Sequence, residues 1–170
     1  DEGQTNESEK IELTKVTSRA GGRAACAAPA SQNDIGIAGD AGDNMSSARS
    51  LGDDPQFTSK TGCVDMFDDY DYYTFNITSS GFDVEFELTV PPPASNNDYD
   101  LFLEDANGNL LDESWGFNLI ETVSTAGTAG SGVSGLYFVL VAQVGGNGTY
   151  NLDAWTNTSL PRPDLIPSNI

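Results

Sequence analysis

Phe82, Val84, Phe86, Leu88 and Val90 alternate strictly with Asp83, Glu85, Glu87 and Thr89, and the chain then meets three consecutive prolines at 91–93. An extended strand sends successive side chains to opposite faces, so this run is a strand with one apolar face and one acidic, wet face. Proline has no N–H to give to a ladder, which ends the strand. A strand of this kind needs a second apolar surface to cover it, and the same two-residue period recurs. Tyr73, Phe75 and Ile77 alternate with polar neighbours, and Tyr99, Leu101 and Leu103 share one face. Asn107-Gly108 is a hairpin turn leading to Leu110 and Leu111, and residues 119–123 form a further short run. GLYFVLVAQV and GTYNLDAW flank the turn Gly145-Gly146-Asn147-Gly148. Seven or eight short strands, with no helical period beyond a turn near residues 46–51, predict an all-β fold: an antiparallel β-sandwich of jelly-roll kind. Eighteen Gly and eight Pro in 170 residues suit such a turn-rich protein, and the length suits one domain.

The folded body is expected over residues 33–155. Ahead of it, residues 1–32 form an extended segment: a polar acidic stretch, then Ile11, Leu13 and Val16 in strand-like alternation, then the small-residue run AGGRAACAAPA. The alternating piece reads as an edge strand, a leader, or a strand for donation to a neighbour. Residues 125–135 are Gly, Ser, Thr and Ala apart from Val133, the composition of a flexible connector. Residues 156–170 form a tail with three prolines, which favour extended backbone.

Seven Lys and Arg stand against twenty-six Asp and Glu, a formal charge of −19. Phosphate binding needs a basic face, so nucleic acid is excluded as a partner, and an anionic membrane surface would repel the chain. The longest apolar run, residues 136–142, is strand-sized, so no membrane span is expected. There is no His. That removes Ser–His and Cys–His nucleophiles and disfavours zinc and copper, while leaving oxygen-bound hard cations open. No catalytic residue is identified, and an enzyme is not expected. Two cysteines, Cys26 and Cys63, suggest one disulfide in an oxidising compartment, the alternative being two buried thiols. Glycosylation sequons begin at Asn6, Asn44, Asn76, Asn147 and Asn157. The chain starts at Asp1 rather than Met, which fits removal of a leading segment, and the expected location is extracellular or at the cell surface.

Five segments in order, GDAGDN at 39–44, DYDYYTF at 69–75, NDYDLFLEDANGNLL at 97–111, GLYFVLV at 135–141 and GTYNLDA at 148–154, make residues 33–155 resemble the bacterial and archaeal pre-peptidase C-terminal domain. That family is similar to clostridial collagen-binding domains. The resemblance implies a secreted, non-catalytic β-sandwich that serves in binding, adhesion or assembly. It also implies that acidic residues before and at the first strand take calcium. Asp40 and Asp43 match the GDAGD segment best, with Asp34 and Asp71 as further candidate ligands, within a wider acidic set of Asn33, Asp69, Asp98 and Asp100. Carboxylates converging on one loop repel one another unless a cation sits between them. The plainer alternative is that they cap turns and solvate the surface. The run from Asp105 to Asn109 mimics a calcium loop but lacks its glycine and glutamate, and reads as a hairpin turn. The RPDLIPSNI tail resembles the opening of a CARDB-type adhesion domain.

Three functions follow as expectations. The leading one is a surface filament subunit, a homopolymer joined by donation of the strand carrying Ile11, Leu13 and Val16. The alternatives are a module binding polysaccharide or extracellular protein, and the accessory domain of a secreted peptidase. Tyr70, Tyr72, Phe102 and Trp115 fall on outer faces by the alternation, either as binding platforms or packed under loops.

Overall fold

The structure is a computed structural model and describes Cys26, residues 32–65, residues 68–90 and residues 97–158. Nine strands appear among them: β1 (Arg49–Asp53), β2 (Phe57–Val64), β3 (Tyr70–Ile77), β4 (Phe82–Thr89), β5 (Asp98–Asp105), β6 (Leu110–Ser114), β7 (Ile120–Ser124), β8 (Gly135–Gly145) and β9 (Gly148–Thr158). They make a two-sheet β-sandwich. One sheet has the order β1-β3-β8-β5-β6 and the other β2-β9-β4-β7. All pairs are antiparallel except β1 with β3, which is parallel.

The alternation read from the sequence sets the core. Val84, Phe86 and Leu88 of β4 point inward, with Leu152 and Ala154 of β9 beside them in register, and Val123 of β7 opposite Phe86. The facing sheet contributes Tyr73, Phe75 and Ile77 of β3, Val139 and Val141 of β8, and Leu101 and Leu103 of β5. Phe75 joins the sheets, its ring centroid 5.0 Å from that of Phe86 and 5.7 Å from that of Tyr137. Burying one such side chain is worth about 1.5–3 kcal/mol, so this stripe is the main source of cohesion.

β1 and β2 are absent from the sequence expectation. Both are edge strands, their residues mostly exposed or half-buried, and β1 shifts register between Ser50 and Gly52. With one neighbour and no fully covered face, they show no two-residue apolar period. β9 runs to Thr158, past the boundary read at residue 155.

The stretch expected as a flexible connector is a hydrogen-bonded loop. Thr125 is buried, its hydroxyl donates to Asp83 Oδ1 at 3.0 Å, and Gly132 N donates to the same oxygen at 3.0 Å. Turns at Thr128 and Val133 close the rest. Composition marks such a segment as loop, and an acid on the wet face of β4 orders it. The Asp105 turn joins β5 to β6, with Oδ1 accepting from Asn107 N at 2.8 Å and Asn109 N at 2.9 Å, the hairpin chemistry expected.

Candidate metal centre

Asp34 opens a short 3-10 turn, Asp34–Gly36, that runs in front of β2. Its carboxylate is buried and doubly used: Oδ1 accepts from Cys63 N and Oδ2 from Ala41 N, each at 3.1 Å. These bonds fasten the pre-sandwich chain to β2 and to its own following loop. Ile35, at φ 48°, sits in the left-handed region that a β-branched side chain adopts only at a cost of about 1–3 kcal/mol. Burial of its side chain and the two bonds of Asp34 hold it there. Gly42 has φ 82°, and a Cβ there would lie 2.6 Å from the Ser47 carbonyl, so this turn requires glycine. The Gly42 carbonyl accepts from Tyr72 N at 3.0 Å, which lays the GDAGD loop along β3 next to Asp71.

Carboxylates from these pieces converge. Oxygens of Asp34, Asp40 and Asp71 lie within 4.8 Å of one another, as do oxygens of Asp40, Asp43 and Asp68. Asp40 belongs to both sets, so the two form one continuous acidic site. Asp71 is fully buried. Its Oδ2 accepts from the Tyr150 hydroxyl, which in turn bonds the Tyr73 hydroxyl at 2.6 Å, so a buried chain from β9 and β3 fixes the carboxylate. Its Oδ1 has no hydrogen-bond partner, and neither has Oδ1 of Asp40. Asp68 accepts from Gln32 Nε2 at 2.7 Å.

The electrostatics follow from burial and crowding. Burial raises the Asp71 carboxyl to about 9, helped by the charge of Asp34 and opposed by the Tyr150 bond. Burial raises Asp68 to about 7, with Asp40, Asp43 and Asp34 adding repulsion. Asp34 rises to about 6 for the same first cause, with its backbone bonds pulling the other way. A group of hard, mutually repelling oxygens, two of them buried without partners, fits a divalent cation such as calcium.

The structure thus brings together Asp34, Asp40, Asp43 and Asp71. Asp69 is exposed and stands outside both sets, and Asn33 is exposed, giving its carbonyl to the turn. Asp98 and Asp100 belong to another neighbourhood, where the charges of Glu121 and Glu113 act on them. Asp68 is the ligand candidate that the sequence reading missed. Counting back by two from Asp71 reaches Asp69, but Asp68 is held outside that alternation, where it and Asp65 bond each other's backbone. Nothing local marks Tyr150 as the group that fixes Asp71.

Cys26 is joined to Cys63, with a Cα separation of 5.7 Å, and Cys26 N donates to Asp65 Oδ2 at 3.4 Å. Of the sequon asparagines, Asn44 and Asn157 are exposed and Asn76 and Asn147 half-buried, while Asn6 lies outside the described residues. Ile11, Leu13 and Val16 also lie outside them. Tyr70, Tyr72 and Phe102 are half-buried on the outer face of their sheet, where Leu140 separates Tyr72 from Phe102. Trp115 is 68% exposed and its neighbour Phe117 94% exposed, both between β6 and β7.

No family model and no curated protein matches the chain. Among solved structures it is similar to the pre-peptidase C-terminal domain of a collagenase from Bacillus anthracis, at 19% identity and a TM-score of 0.49, over 62% of this chain and 92% of that one. It is also similar to a family 6 carbohydrate-binding module, at 14% identity and a TM-score of 0.33, over 64% of this chain and 97% of that one. No helix among the described residues is long and apolar enough to cross a membrane.

Proposed function

We propose that the chain is a non-catalytic extracellular binding module: a β-sandwich that calcium fastens at the Asp34–Asp71 site and that meets polysaccharide through its β6–β7 loop. The observation that carries this reading is Asp71, a fully buried carboxylate with one partnerless oxygen, held by Tyr150 within reach of Asp34 and Asp40. Asp34, Asp40 and Asp71 would hold the cation, with Asp43 and Asp68 completing the set. Calcium supplies charge neutralisation there and ties the pre-sandwich loop to β2 and β3. The disulfide supports an oxidising compartment. Trp115 and Phe117 are flat apolar surfaces of the kind that stack on sugar rings.

The test is depletion binding to insoluble polysaccharides, with collagen as the protein control, in calcium and in chelator. Saturable binding to a polysaccharide that Trp115→Ala and Phe117→Ala together abolish is the expected result. Retention by collagen alone would make the partner a protein, and flat isotherms throughout would overturn the binding reading. Calorimetric titration with calcium checks the cation separately.

A second reading, the homopolymer joined by strand donation, is favoured by the anchorage of Cys26. The disulfide starts the leader at β2, an edge strand, so a strand at Ile11, Leu13 and Val16 would leave from beside an open sheet edge. Sedimentation of the full chain tests it. Concentration-dependent polymers that Leu13→Asp disperses would support donation, and a monomer at all concentrations would end it.

A further inference from the structure

The five-stranded sheet turns its outer face away from the core, and the ladder registers arrange that face in rows. Tyr72 of β3, Leu140 of β8, Phe102 of β5 and Glu113 of β6 stand side by side in one row, and Ala142 and Asp100 share the next. Leu140 and Ala142 are 8% and 6% exposed, so they form a floor, with Tyr72 and Phe102 half-buried on either side of it. Neighbouring strands lie about 4.8 Å apart, which sets these two rings about 10 Å apart. Both ends of the face are bounded. The Gly42 carbonyl accepts from Tyr72 N, and the sulfur of Met45 lies 3.4 Å from where a Cβ on Gly108 would stand, so residues 43–48 reach from β3 to the β5–β6 hairpin. The core fills the inner face, so this segment closes the outer face at its hairpin end. At the other end Gly116 N donates to Asp100 Oδ1 at 3.2 Å, which brings the loop bearing Trp115 onto the same face.

The charged groups of this face are acids. Asp100, Glu104 and Glu113 share its outward register, and Glu104 keeps Oε2 buried without a hydrogen-bond partner. The cations among the described residues lie elsewhere. Arg49 stands opposite the inward Tyr73 and its Nε donates to the Asp40 carbonyl at 2.7 Å, while Lys60 belongs to the other sheet. Flat rings interleaved with carboxylates suit a partner that has apolar faces and positive charge, and they repel an acidic polymer. We propose that this face is a cleft for a β-1,4-linked glycan carrying free amines, of chitosan chemistry. Tyr72 and Phe102 stack on alternate sugars, Trp115 flanks the chain, and Asp100, Glu104 and Glu113 receive the ammonium groups in charge-assisted bonds. A β-1,4-linked chain turns over at each sugar, so the same face recurs at every second one, which matches rings two strands apart. The proposal rests on the polysaccharide reading above, and names the class of sugar and the surface that takes it beyond the β6–β7 loop.

The test is depletion binding of the full chain to chitosan, chitin, pectate and immobilised polylysine in about 0.5 M sodium chloride, where bare charge attraction is largely screened. Saturable binding to chitosan is expected, weaker on chitin and absent on pectate and polylysine. Tyr72→Ala and Phe102→Ala leave the charge unchanged and should each weaken it by about tenfold. In wild type, a soluble chitosan oligosaccharide should shift the amide NMR signals of Tyr72, Leu140 and Phe102. If an alanine variant fails to fold, those shifts and weaker binding by Glu113→Gln, at an exposed position, make the same test. Equal binding to chitin or to polylysine overturns the amine-bearing glycan. Chitosan binding that Trp115→Ala and Phe117→Ala abolish, but that Tyr72→Ala and Phe102→Ala leave intact, overturns this face and leaves the polysaccharide reading standing. Flat isotherms on every polysaccharide end both.

Discussion

Asp71 lies buried on β3 with one carboxylate oxygen bonded by Tyr150 and the other unpartnered, so its ionisation is coupled to folding. In the unfolded chain Asp34, Asp68 and Asp71 titrate near the ordinary 3.8, and in the cation-free fold near about 6, 7 and 9. The fold therefore binds more protons than the unfolded chain from about pH 4 to about pH 9, and stability falls as pH rises through that window. Thermal melts in chelator are expected to show a higher Tm at the acid end. Asp71→Asn should flatten the slope above neutral pH and raise Tm there, while abolishing the stabilisation by calcium that wild type shows. A wild-type Tm that climbs with pH in chelator would contradict this account. Gly62 gives a second residue-level test. It stands opposite Tyr150 in the β2–β9 ladder, and a Cβ on it would overlap the Tyr150 ring and hydroxyl. Gly62→Ala is expected to lower stability by about 1–3 kcal/mol in urea titration and to weaken calcium binding by displacing the bond to Asp71. Neither Tyr150 nor Gly62 carries a signal in the sequence, because their importance comes from each other and they are far apart in the chain.

At the scale of elements, the sandwich is built from strands whose faces differ and fastened by pieces that do not alternate. The Cys26–Cys63 bond spans 37 positions and ties the chain ahead of the sandwich to β2. Chain-entropy arguments give about 4 kcal/mol for closing a loop of that size. Reduction, or Cys26→Ser with Cys63→Ser, is expected to lower the urea midpoint accordingly. It should also weaken calcium binding, because Asp34 accepts from Cys63 N and loses its rigid neighbour. Unchanged calcium affinity after reduction would show that the Asp34 bonds alone hold the turn. β3, β4, β5, β8 and β9 were legible because each is covered on at least one face and so alternates, or, for β8, runs apolar on both. β1 and β2 were not, since an edge strand with exposed residues leaves no period to read.

Over the whole molecule, a charge of −19 is a standing self-repulsion that strand pairing and apolar burial overcome. Salt screens it over roughly 10 Å at 0.1 M, so sodium chloride is expected to raise Tm gradually. Calcium should raise it far more than sodium at equal ionic strength, because it fills particular carboxylate groups and does not merely screen them. Equal effects of the two salts would mean that the acids are solvated surface. Legible in the residues alone were the class of fold, the inward residues of three strands, the hairpin at Asn107-Gly108, and the lack of any imidazole. Those properties are local: alternation has a period of two, a turn is a few residues, and composition needs no geometry. Only the tertiary structure decided which acids meet. Asp40 joins Asp71 because Gly42 bonds Tyr72, and the same loop brings Asp43 to Asp68. Sheet order sets those meetings, and sheet order follows from contacts between segments far apart in the chain, which no local pattern encodes.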